Sequence, residues 1–121
     1  MFDEHDVLVK ELAEALLARH LACATAESCT GGLVGAMLTA VPGSSDWYLG
    51  GVISYANEVK KGLPGVRGED LEREAAVSEP VVGSMALGAC AATGAQAAMS
   101  TSGVAGPGGG SDEKPVGTGW I

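Results

Sequence analysis

Positive charge is scarce in this sequence. Seven Lys and Arg stand against fifteen Asp and Glu, giving a formal net charge of −8 at pH 7 over 121 residues, and the cations are scattered rather than clustered. No nucleic-acid partner is expected, because a phosphate backbone demands grouped Lys and Arg. Aromatic residues make up only 4% of the chain, so a core must be packed from Ala, Val and Leu. Histidine occurs only at His5 and His20, which leaves most of the chain without the commonest general base. Cysteine is limited to Cys23, Cys29 and Cys90, an odd number without CxxC or paired spacing. That excludes a disulfide framework and a zinc site and suits a reducing compartment. No apolar run approaches the roughly 20 residues of a membrane span. The opening "MFDEHDVLVK" lacks the basic-then-apolar order of a secretory leader. A cytoplasmic protein with no membrane contact, no metal and no cofactor is expected.

What is abundant is aliphatic residues and glycine: 46% hydrophobic content with 19 glycines, an amount of apolar material that a disordered chain does not carry. The length suits one domain over 1–121. From Asp6 to Arg19, Leu8, Leu12, Ala15 and Leu16 recur at helical spacing, with acids opening the segment and Arg19-His20 closing it, as a helix dipole favours. "LACATA" (21–26) reads as a buried strand and "TGGLVGAMLTAV" (30–41) as a helix stopping before "PGSSDW". "GGVISY" (50–55) reads as a second strand, the polar "ANEVKKGLPGV" as a loop, and 67–75 as an acidic helical piece. Ser78 is a candidate N-cap ahead of Val82, Met85, Ala86, Ala89 and Cys90, and Gly94 ends that helix. "AQAAMST" (95–101) is a third strand, and "VGTGWI" begins a last one. Strands alternating with helices predict an α/β fold, a three-layer α/β/α sandwich with a mainly parallel, mixed sheet.

In such sheets ligands bind beyond the carboxyl ends of the strands, which selects Glu27–Gly32, Tyr55–Lys61 and Ser102–Gly110. Ser28 sits where strand turns to helix, with free amides nearby for an oxyanion; equally, Ser28 or Thr30 could simply cap the helix. A serine nucleophile needs a base, and with histidine absent from these loops a lysine with lowered pKa can serve. Lys60 and Lys61 stand on the neighbouring loop, and Tyr55 could relay or orient the proton. Cys29 is a rival nucleophile. Glu27 could hold a substrate amide or ammonium, or could bond to backbone. The glycines of 103–110 let backbone amides approach a phosphate or carboxylate. They form neither a P-loop nor a dinucleotide fingerprint, and a flexible hairpin loop is the competing account.

Together, "TAESCTGG", "VPGSS", "GGVISYANEVKKGLPGV", "AVSEPVVGSMALGA" and "STSGVAGPGGGSDEKPVGTGW" resemble, in order and spacing, the C-terminal domain of the CinA (competence- and damage-inducible) family. The resemblance runs from about Leu8 to the last residue. It implies an amidohydrolase that converts nicotinamide mononucleotide to nicotinate mononucleotide and ammonia, recycling pyridine nucleotides. By the same resemblance Ser28 is the nucleophile, Lys60 its base and Tyr55 an assistant. Thr30, Gly31, Gly32, Ser102 and Gly103 would supply oxyanion and nucleotide contacts, and the substrate contact read for Glu27 from its own position joins them. The resemblance further implies a homodimer. Family members continue past the equivalent of Ile121 through more strand, an arginine-bearing segment and a final helix, and full-length ones carry an N-terminal molybdopterin-binding-like domain. A chain without the C-terminal part is expected to leave sheet surface bare. The alternative function is a non-catalytic nucleotide-binding or interaction module linked to competence or DNA damage.

Overall fold

The structure is a computed structural model and describes residues 3–121. Helix α1 (Asp6–Ala18) leads into β1 (Cys23–Glu27), α2 (Leu33–Thr39) and β2 (Tyr48–Ile53). The short helices α3 (Asn57–Lys61) and α4 (Gly68–Glu74) precede the long α5 (Glu79–Thr93), β3 (Ala97–Gly103) and β4 (Gly119–Trp120). The sheet has the order β2-β1-β3-β4. Strand β1 pairs in parallel with both β2 and β3, and β4 joins β3 antiparallel through Ser102–Trp120 and Gly103–Gly119. The mixed, mainly parallel α/β architecture is as expected.

All five residues of β1 are buried, because helices cover both faces, as parallel sheets require. On one face Ala24 and Ala26 pack with Leu63, Val66, Leu71, Val81, Met85 and Ala89. On the other, Cys23 packs with Val9, Ala13 and Leu16 of α1, Leu38 of α2, and Trp47. Burial pushes the Cys23 thiol pKa up. Small side chains on β1 bring both helical layers close to the backbone, which is why a sequence so poor in aromatics still closes a core.

Several elements depart from the periodicity. The buried face of α1 is Val9, Ala13 and Leu16, while Leu8 is exposed; the apolar stripe is wider than the contact it makes. The segment 57–61, read as loop, is helical, since five residues are too few to show a 3.6 period. Ser78 does occupy the N-cap position of α5, but its hydroxyl donates backward to the Ala75 carbonyl at 2.8 Å instead of capping the helix. Strand β3 runs on to Gly103, two residues beyond the expected end, because pairing with β4 extends it. Among the described residues no helix is long and apolar enough to cross a membrane.

Candidate active site

The chain leaves β1 toward β2 through α2 and reaches β3 through α5 on the opposite face, so the crossovers diverge at β1. That is the switch point where an open α/β sheet leaves a crevice at its carboxyl edge. The turn after β1 presents Ser28 there. Its amide donates to the Thr101 carbonyl at 3.0 Å, and its own carbonyl accepts from the Gly31 amide at 3.0 Å. The nucleophile candidate is thereby tied to both β3 and the following turn.

Lys60 reaches the same point from α3. Its side chain is 2% exposed, and Nζ lies 3.0 Å from Ser28 Oγ and donates to the Tyr55 carbonyl at 2.6 Å. Among the described residues no carboxylate lies within ion-pair distance of it. Burial without a counter-charge holds the Lys60 pKa below the ordinary lysine value, with the neighbouring Cys29 a smaller, opposing influence. A lysine inclined toward the neutral amine, at hydrogen-bond distance from a buried serine hydroxyl, can accept that hydroxyl's proton. Lys61, next along the helix, is exposed.

Tyr55 takes a different place from the expected one. Its side chain is 73% exposed and makes no hydrogen bond among the described residues; its contribution to Lys60 is the backbone carbonyl. Tyr55 instead lines a cavity of about 250 Å³ together with Cys29, loop residues 103–106 and Gly108.

Glu27 also requires correction. Its side chain is buried, and both oxygens are engaged inside the protein. Oε1 accepts from the Thr30 hydroxyl at 2.6 Å and from the amides of Gly32 and Val34 at 3.2 and 2.9 Å; Oε2 accepts from the Gly35 amide at 3.0 Å. The carboxylate caps α2 and shapes the turn, which is the backbone-bonding alternative of the two readings. Because Thr30 donates to Glu27, the Thr101 hydroxyl, 2.8 Å away, donates to Thr30. Thr101 was not singled out from sequence; a threonine on a strand carries no signal of its own.

Helix α2 starts at Leu33, not at Thr30. Gly31 and Gly32 hold φ of +60° and +107°, left-handed conformations that stop a helix from running back to Ser28. The Gly31 and Gly32 amides, expected as oxyanion contacts, are bonded internally, while those of Cys29 and Thr30 have no partner among the described residues. Ser102 is buried on β3, and at Gly103 a Cβ would lie 2.7 Å from the Thr118 carbonyl and 3.3 Å from Cys29 Sγ. Glycine at 103 thus lets β4 and the serine turn close on each other.

Comparison with known proteins places this geometry in a lineage. A nicotinamide-nucleotide amidohydrolase, PncC, of Escherichia coli K12 is 52% identical over 114 residues, covering 94% of this chain and 69% of that protein. A CinA-like protein of Chlorobaculum tepidum is 51% identical over 111 residues, 92% of this chain and 26% of that much longer protein. The crystal structure of the competence damage-inducible protein A from Klebsiella pneumoniae superposes with a TM-score of 0.89 at 43% identity, covering 95% of this chain and 71% of that one. Residues 5–121 match the CinA C-terminal domain. With the family model, the relatives and the solved folds matching over nearly its whole length, the chain belongs to the CinA C-terminal domain family.

Proposed function

We propose that this protein is an amidohydrolase that cleaves the carboxamide of nicotinamide mononucleotide to nicotinate mononucleotide and ammonia by a serine-lysine mechanism. The observation that carries the proposal is the buried contact of 3.0 Å between Ser28 Oγ and Lys60 Nζ; the amidohydrolase relative at 52% identity supplies the substrate class.

Neutral Lys60 takes the Ser28 proton as Oγ attacks the carboxamide carbon. The carbonyl π electrons move onto oxygen, where the free amides of Cys29 and Thr30 receive the developing charge. Collapse expels the nitrogen, which leaves as ammonia after taking the proton from Lys60. Water then attacks the acyl-serine, with Lys60 again accepting and returning a proton. Tyr55 and the 103–108 loop form the wall of the cavity beside Cys29, where the pyridine ring enters, and the glycine-rich backbone offers amides to the phosphate. Ser102 supports this wall from β3. The same proposal assigns the reaction to pyridine-nucleotide recycling in the cytoplasm, carried out by a homodimer.

The test is ammonia release from nicotinamide mononucleotide by wild type, Ser28→Ala, Lys60→Ala and Cys29→Ala. Loss of the nucleophile or its base should lower kcat by at least about a hundredfold, while Cys29→Ala retains turnover. An inert wild type that still binds the nucleotide would instead identify a binding module, and activity surviving Ser28→Ala but lost in Cys29→Ala would transfer the chemistry to the thiol.

A further inference from the structure

Ser54 is fully buried, and its Oγ is, among the described residues, the one buried side-chain oxygen or nitrogen without a hydrogen-bond partner. Its position is informative. Glu27 pairs with Ile53, and the Ser54 amide donates to the Glu27 carbonyl at 2.8 Å. The parallel ladder therefore sets the next residues, Ser28 and Ser54, side by side at the carboxyl end of the sheet. Alternation along the strands puts both on one face. Two residues earlier, Ala26 and Val52 share the core formed with Leu63 and Val66, which follow Lys60 in the chain.

Lys60 Nζ arrives on that same face. An ammonium has three N–H donors, and two directions at Nζ are taken, by Ser28 Oγ and the Tyr55 carbonyl. The third has no partner among the described residues. An acceptor without a donor and a donor without an acceptor thus lie within one buried layer, and each orphaned group is unfavourable by itself.

We propose that Ser54 is a positioning residue for the Ser28–Lys60 pair, its side chain rotating to bring Oγ to the third Nζ hydrogen once Lys60 has taken the Ser28 proton. The proton balance gives such a group a role. In the resting amine, Nζ carries two hydrogens and a lone pair directed at Ser28 O–H. When the Ser28 O–H bond breaks and the Oγ–carbon bond forms, Nζ acquires a third hydrogen. The Tyr55 carbonyl and Ser54 Oγ hold two of the three, which leaves the remaining one aimed at the reacting carbon's leaving nitrogen.

The inference rests on the serine-lysine chemistry proposed above, and its test includes a readout that needs no turnover. Ser54→Ala and wild type are compared by thermal unfolding, by NMR titration of the Lys60 side chain labelled at Cε, and by kcat and KM for nicotinamide mononucleotide. Removing a hydroxyl that is unpartnered at rest leaves Tm unchanged or higher. Loss of an acceptor for the ammonium lowers the Lys60 titration midpoint by about one pH unit, and kcat falls about tenfold with KM unchanged. An unmoved Lys60 midpoint overturns the proposal, as does a fall in Tm that accounts for the lost activity. A wild type inert toward the nucleotide, combined with a shifted midpoint, would sink the proposed substrate and leave the Ser54 assignment standing.

Discussion

Replacing Glu27 by Gln separates a structural carboxylate from a substrate-binding one. Four hydrogen bonds converge on Glu27, three on Oε1 and one, from the Gly35 amide, on Oε2. In Glu27→Gln the amide oxygen can keep the Oε1 position with its three donors, but the NH2 group then faces the Gly35 N–H, donor against donor. One charge-assisted bond is lost, worth about 1.5–3 kcal/mol, and the half-buried Gly35 amide is left without an acceptor, which costs about 1–3 kcal/mol. These two figures overlap, because both describe the same missing bond. A net destabilisation of about 3 kcal/mol is the expected outcome, or a fall in Tm of about 10 °C for a domain of this size. Urea unfolding followed by far-ultraviolet circular dichroism measures it directly, with the m-value unchanged if only stability has moved. A variant within about 0.5 kcal/mol of wild type but with a raised KM would refute this account and return Glu27 to the substrate.

Two other substitutions probe the packing and the lysine. Lys60→Met should be more stable than wild type at neutral pH, because the folded state depresses the lysine pKa and the unfolded chain binds the proton more readily. The wild-type penalty is absent above the unfolded value of about 10.4, grows as pH falls below it and is complete once pH is under the folded-state pKa; denaturation midpoints of the two proteins should therefore converge as pH rises toward the unfolded value, and parallel curves would contradict it. Gly88→Ala places a Cβ 2.6 Å from the Pro64 carbonyl, where α5 meets the segment after α3. Although Ala is the better helix former by about 1 kcal/mol, overpacking should prevail with a loss of about 1–3 kcal/mol, read from the shift in urea midpoint; a stabilised variant would show that the contact yields.

The site was legible in sequence where side-chain type and strand ends coincide. β1, β2 and α5 announce themselves through apolar runs and an N-cap, and the rule about carboxyl ends then singles out the loops of Ser28 and Lys60 without reference to contacts. The contact between them was not legible, because it depends on α3, a helix too short to leave a periodic trace. Glu27 shows the opposite limit. A carboxylate beside a serine reads equally well as a ligand or as a cap, and only the left-handed turn at Gly31 and Gly32, which swings the first amides of α2 back over the strand, decides between them. Tyr55 was singled out for its phenol, whereas its backbone carbonyl meets Lys60, an atom every residue type offers. Ser54 and Thr101 are hydroxyls inside strand patterns, where serine and threonine are common for reasons of packing alone.

The cap on α2 also shapes how a charged ligand meets this protein. The helix directs its positive end at Glu27, so the carboxylate offsets that dipole inside the protein. Burial lowers the Lys60 pKa, and the chain as a whole carries −8. Under the proposed function, a nucleotide phosphate approaching from solution would be repelled at long range and held at short range, with backbone amides of the glycine-rich loop among its contacts. Counter-ions, which weaken most phosphate recognition, would here screen the repulsion and speed the encounter.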